Sequence, residues 1–152
     1  EERFVSTNIP YKVIGGVNFY ARREIKDLLA YLRTIENGRD DLAVRRIINV
    51  PKRGIGLTSI NRVQEYALQK ETGFYEALLA ADLIPGIGRA LSKLESFVAL
   101  IEHFKEEAGR LTPLALLTDI IETLDYENYL EEIDMEDAES RIENIEELKS
   151  KL

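Results

Sequence analysis

Cysteine and tryptophan are absent from this sequence, and histidine and methionine occur once each. Without cysteine there is no disulfide, no thiolate metal site and no cysteine nucleophile. That absence is compatible with the cytoplasm, which is the expected location. The single histidine, His103, falls inside a helical pattern and reads as a helix-face residue. No metal site and no serine-type triad is expected from it. Long apolar runs are missing as well: no stretch of 18 apolar residues occurs, so neither a membrane-spanning helix nor a membrane partner is expected. The opening EERFVSTNIPYKVIGG has no basic segment followed by an apolar one, so no signal peptide is expected either.

What is present fits a soluble globular unit. The 152 residues are 45% hydrophobic and 32% charged, enough for one domain with a core or for a subdomain of something larger. The net charge of −8 argues at first against a nucleic-acid partner. The sum conceals a segregation, however. Between Leu42 and Gln64 stand five bases (Arg45, Arg46, Lys52, Arg53, Arg62) and no acid, whereas Asp119 to Glu147 holds thirteen acids and one base, Arg141. A fold that keeps these regions apart can bind an anionic polymer on one face only.

The start, Ile9 to Ile14, is rich in strand formers and is broken by Gly15-Gly16. A lone strand cannot satisfy its own backbone, so its partners are expected outside the chain. The remainder is helical by periodicity. Ile25, Leu28, Leu29, Leu32 and Ile35 form one stripe, ended by Asn37-Gly38 with Gly38 as a left-handed cap. Asp40 is an N-cap candidate for a short helix with Ala43, Ile47 and Ile48 inward, stopped by Pro51. Thr58 or Ser59 opens the next, with Ile60, Val63, Ala67 and Leu68 inward; Thr72-Gly73 breaks it before FYEALLAA. A long helix follows Gly88, and Thr112-Pro113 starts another as N-cap and N1 proline. YENYLEEIDMEDAE is expected to be a solvated acidic connector; without a central glycine and spaced ligands it is no calcium loop. Ile142, Ile145, Leu148 and Leu152 are spaced to pack in a last helix, and both chain ends are expected to be cuts through a longer protein.

Two stretches read almost alike: PKRGIGLTSI (Pro51 to Ile60) and LIPGIGRALS (Leu83 to Ser92). In each Gly-Ile-Gly the first glycine permits a tight reversal, the isoleucine can turn inward, and the second glycine admits an outside group to amides at a helix start. Lys52, Arg53 and Arg89 supply charge beside them. Phosphate contacts of this kind carry no sequence information and weaken with salt. The pattern resembles the helix-hairpin-helix module of DNA repair and replication proteins. The plainer alternative is an economical interhelical turn with no ligand.

A more specific resemblance spans the chain. GGVNFYARREIKDLLAYLR (Gly15 to Arg33), INVPKRGIG (Ile48 to Gly56) and SRIENIEEL (Ser140 to Leu148) resemble, in order, three stretches shared by the superfamily 1A DNA helicases of the UvrD/PcrA/Rep family. The resemblance implies a mainly α fold: a helical 2B-type subdomain with two helix-hairpin-helix-like turns, inserted in a RecA-like 2A motor domain that contributes the short N-terminal strand. Residues 1–20 would be a 2A flank, 21–138 the 2B subdomain and 139–152 a helix returning to 2A. It further implies a regulatory, swivelling subdomain of an ATP-dependent helicase of 3'-5' type. Its partners would be duplex or junction DNA, the remaining motor domains, and repair or transcription proteins.

The implied DNA-binding residues are Lys52, Arg53, Gly54, Ile55, Gly56, Thr58 and Ser59, and secondarily Gly86, Gly88 and Arg89. Phe19, Arg22, Glu24, Lys26, Asp27, Arg141, Glu143 and Asn144 follow the family motifs and are expected at the junction with the motor. By spacing, Arg23 and Asp27 form a surface pair. Arg141 is expected to pair with nearby acids such as Glu139 or Glu143, and Asn144 to hydrogen-bond across the junction. Phe19 and Tyr20 fit either a stacked base or a core. No GxxxxGK[ST] loop, Asp-Glu box or arginine finger is present, so no catalytic residue and no cofactor is expected here. ATP and Mg2+ would belong to the parent helicase. The rival reading is a protein-interaction module whose acidic face docks a repair or transcription partner, the glycine turns being structural.

Overall fold

The structure, a computed structural model, describes residues 17–152, with the side chains of Val17 and Asn18 excepted. The expected strand at Ile9 to Ile14 and the Gly15-Gly16 pair lie outside the described residues. Within them the chain is helical and no strand is present. In order come α1 (Val17–Ala21), α2 (Arg23–Glu36), α3 (Asp41–Ile47), α4 (Leu57–Lys70) and α5 (Phe74–Leu79). A 3-10 turn at Ala81–Leu83 precedes α6 (Ala90–Ala108), α7 (Pro113–Leu124), α8 (Tyr126–Ile133) and α9 (Ala138–Ser150).

Helix α2 is the hub, packing on α1, α3, α6 and α9. Its apolar stripe from Ile25 to Ile35 is buried as the three- and four-residue spacing requires, and Tyr31 and Thr34 are enclosed with it. Each large aliphatic side chain taken from water here contributes about 1.5–3 kcal/mol. Across from α2, the long α6 buries Leu94, Phe97, Ile101 and Phe104. Local caps fix the boundaries: Asp40 accepts from the Ala43 amide at 3.1 Å, and Thr112 from Ala115 at 3.2 Å ahead of Pro113.

Three local expectations are corrected. Gly38 does not adopt a left-handed cap; α2 ends on an extended Asn37, and Gly38 instead lies against the Tyr75 ring, 3.1 Å from where its Cβ would be. Leu68 is 69% exposed, because α4 buries only the Val63 and Ala67 face. The acidic connector is largely helix: Tyr126 and Leu130 of α8 are fully buried one turn apart, which holds their acidic neighbours in place.

Candidate nucleic-acid interface

The first glycine turn follows α3 and is stitched by Asn49. Its Oδ1 accepts from the Ile55 amide at 3.0 Å and from that of Arg53 at 3.4 Å, and its Nδ2 donates to the Ile55 carbonyl at 2.7 Å. Ile55 is thereby held in the core at 3% exposure. Gly54 has φ of +76°, a backbone state that costs other residues roughly 1–2 kcal/mol. Gly56, at φ −73° and ψ 164°, is the N-cap of α4 and supplies no side chain to cap its amides. The first α4 bond outside the regular ladder runs from the Ile60 amide to the Gly56 carbonyl at 3.1 Å, so the Leu57, Thr58 and Ser59 amides point out of the helix end without an intrahelical partner. Nothing lies within 4 Å of a Cβ placed on Gly56.

The second turn is built similarly but offers less. Ile87 is buried at 8%, and Gly86 and Gly88 have φ of +76° and +55°. Here the Ala90 and Leu91 amides already bond the Ile87 and Gly88 carbonyls at 3.2 Å. Two donors that are bare in the first turn are therefore consumed in the second. Lys52, Gly54, Gly56 and Thr58 of the first turn and Gly86, Gly88 and Arg89 of the second are exposed; Ser59 is half-buried.

Arg53 departs from its expected place. Its Nη1 donates to the carbonyls of Ile47, Ile48 and Val50 at 2.8, 3.1 and 3.2 Å, its Nη2 donates to the Tyr31 hydroxyl at 2.6 Å, and its guanidinium lies 5.1 Å over the Phe97 ring. The carbonyls at the end of α3 carry partial negative charge and draw the nearest cation inward. Arg53 builds the turn and leaves its outer face to other cations. Two of these were not singled out from sequence. Lys93 of α6 donates to the Gly54 carbonyl at 3.2 Å, and Arg62 of α4 sits where a Cβ on Gly86 would collide with its Nη1. The available signal was a base five or six positions after each second glycine, Gly56 to Arg62 and Gly88 to Lys93.

The remaining motif residues join helices distant in sequence. Glu24 is fully buried and accepts from Arg141 Nη1 and Asn144 Nδ2, each at 2.8 Å. Arg141 also reaches Asp134 at 3.5 Å. The expected local pairing thus goes to Asp134 rather than to Glu139 or Glu143, and the shorter contact goes to a partner 117 residues away, because the buried carboxylate on α2 needs neutralising more than an exposed one does. The Arg23–Asp27 pair is likewise absent: Asp27 is buried, accepting from Arg46 Nε at 2.8 Å and from the Tyr126 hydroxyl at 2.9 Å, while Arg23 is exposed. Burial, then the Asp27 charge, push the Tyr126 phenol well above its ordinary pKa. Phe19 lies in the core, edge-on to Tyr20 at 5.2 Å. Arg22, Lys26 and Glu143 are exposed. His103 stands on α6 with its Nε2 3.8 Å from Glu107, a carboxylate that also receives Arg110 at 2.8 Å.

The whole chain, residues 1–152, matches the family described as UvrD-like helicase C-terminal domain. Among curated proteins it is similar to the ATP-dependent DNA helicases PcrA of Staphylococcus epidermidis and Staphylococcus aureus. It is 39% identical to the first over 150 residues, covering 99% of this chain and 21% of that protein. To the second it is 41% identical over 150 residues, covering 99% of this chain and 20% of that protein. The chain thus spans about a fifth of the length of the curated relatives it matches.

Proposed function

The chain belongs to the UvrD-like helicase C-terminal domain family, and we propose that it forms the 2B subdomain, with short 2A flanks, of an ATP-dependent DNA helicase and grips duplex DNA without regard to base sequence. The observation that carries this reading is the first glycine turn: uncapped amides at a 14-residue helix, open space beside Gly56, and the exposed Lys52 next to them. Backbone donors at a helix start suit a phosphate oxygen, and the missing Cβ at Gly56 lets a bulky backbone approach. Arg89 and the second turn provide a weaker contact, since fewer of its amides remain unpaired. The acids of α8 and α9 keep the rest of the molecule off the polyanion.

Nucleotide chemistry falls to other parts of the helicase. A phosphate loop, a magnesium ligand and a positioned water must act together, and these residues carry no GxxxxGK[ST] loop. ATP and Mg2+ would therefore be bound by the motor domains, with α1 and α9 next to them. A second reading, docking of a repair or transcription protein on the acidic face, has one observation in its favour: Met135 is 80% exposed amid acids.

A salt titration separates the two. Binding of the 152-residue chain to a duplex with a single-stranded tail should weaken as salt rises and should not depend on base sequence. Lys52→Ala should lower the slope of log affinity against log salt by about 1, one phosphate contact's worth. Affinity indifferent to both salt and Lys52 would sink the duplex reading and leave the protein partner.

A further inference from the structure

The two glycine turns exchange cations. Helix α4 begins at the first turn and carries Arg62 to the second, against Gly86; α6 begins at the second turn and returns Lys93 to the first, against Gly54. In both cases the glycine approached is the first of its triad and has φ of +76°. Both side chains are exposed, and neither has an acidic partner among the described residues.

We propose that Arg62 and Lys93 are the principal phosphate-binding cations of one composite site, each supplied to a turn by the helix of the other hairpin. This inference rests on the reading of the turns as a duplex-binding surface. Three observations lead to it. The cation expected at the first turn, Arg53, is consumed by the α3 carbonyls and Tyr31, so the outer face of the turn needs another source of charge. Lys93 supplies it: one of its three N–H donors is spent on the Gly54 carbonyl at 3.2 Å, and two remain for an anion. That bond also fixes the ammonium in place before a ligand arrives, which reduces the entropy lost on binding. Arg62 lies so close over Gly86 that a side chain there would displace it, and its planar fork of five donors suits a phosphate.

The crosswise arrangement has a mechanical consequence. One backbone strand of the duplex laid on the first turn touches a side chain of α6, and a strand on the second turn touches a side chain of α4. A duplex held this way locks the two hairpins together, and a shift of α4 against α6 would misplace both cations at once.

The test uses duplex binding by the 152-residue chain across a salt series, with Arg62→Gln, Lys93→Gln, the double variant, and Arg39→Ala in the α2–α3 loop as control. Glutamine keeps a hydrogen-bonding side chain and removes only the charge. Each single variant should lower the salt slope by about 1 and the double variant by about 2, with the control unchanged. Gly56→Ala, which obstructs the first turn, separates crosswise from local supply. In that background Lys93→Gln should have no further effect, whereas Arg62→Gln should keep its full one. Wild-type slopes for both glutamine variants, alongside a reduced slope for Lys52→Ala, would overturn the exchanged pair and leave the turns as the duplex site. The reverse pattern in the Gly56→Ala background would overturn it as well. Absence of any salt-dependent duplex binding by the unaltered chain would remove both.

Discussion

The Arg53 guanidinium and the Tyr31 hydroxyl, 22 residues apart, form one partly buried polar link: Arg53 donates to the phenol oxygen at 2.6 Å, and the phenol donates to the Val50 carbonyl. This link closes the α3 end over α2 and sets the first glycine turn in position. Arg53→Ala should therefore destabilise the fold by roughly 2–3 kcal/mol, because three carbonyls and a phenol lose a charged donor. Lys52→Ala, one residue earlier and exposed, should change stability by less than about 0.5 kcal/mol. Urea unfolding of the two variants checks the contrast, and equal midpoints would contradict it.

Gly56 and Gly86 should respond to alanine in opposite ways. At Gly56 the backbone is ordinary and the space empty, so Gly56→Ala should alter stability by no more than about 1 kcal/mol while weakening duplex binding. At Gly86 the positive φ strains any side chain, so Gly86→Ala should cost about 1–2 kcal/mol and push Arg62 aside. Thermal unfolding beside binding distinguishes them. A Gly56→Ala variant with intact duplex affinity would mean that nothing bulky approaches that turn.

The Glu24 carboxylate has two partners on α9, and they are unequal. Arg141→Ala should leave a fully buried carboxylate held by Asn144 alone and cost about 3–5 kcal/mol. Glu143→Ala, on the exposed side of the same helix, should stay within about 0.5 kcal/mol of the parent. Denaturant midpoints decide between this and a merely superficial Arg141 contact, for which the two substitutions would look alike.

Alkali should attack the fold through its enclosed phenols. Burial pushes the Tyr31 phenol up to about 12 despite the opposing charge of Arg53. Tyr75, bonded to Glu102 at 2.7 Å, and Tyr126, bonded to Asp27, are raised for the same first reason, burial, with their carboxylate partners adding to it. A phenol whose folded pKa exceeds its unfolded value of about 10 stabilises the fold fully below that pH. The contribution then disappears as pH rises through 10 toward the folded value. Denaturant midpoints should hence drop above about pH 10. Tyrosinate absorbance of the folded chain in that range should fall short of the unfolded chain's by the equivalent of three tyrosines. A native titration matching the unfolded one would refute this.

The helical stripes were legible because a 3.6-residue period with apolar residues of one kind, as in Ile25 to Ile35, leaves only one face to bury. The α8 helix was hidden by its composition: Tyr126 and Leu130 are two apolar anchors among acids, and a composition reading weighs the acids. The inward isoleucines of both turns could be read from the glycines that flank them. The direction of Arg53 could not, since adjacency to a glycine turn does not say whether a flexible cation faces solvent or the carbonyls ending α3. Pairs such as Glu24 with Arg141 and Asp27 with Arg46 depend on which helices the tertiary packing brings together. Local spacing therefore favoured the wrong partner, Arg23, for Asp27. Arg62 and Lys93 lay in plain view, six and five residues after the second glycine of their triads, but their exchange between turns becomes visible only once tertiary packing brings the two turns together.

Glu24, at the start of the first long helix, is sewn to Arg141 and Asn144 near the start of the last, joining stretches 117 and 120 residues apart. Two pieces divided at the exposed Glu71-Thr72, between α4 and α5, should therefore reassemble when mixed, whichever is made first. The seam at Glu24, rather than the order in which the helices are synthesised, would then be what closes the bundle.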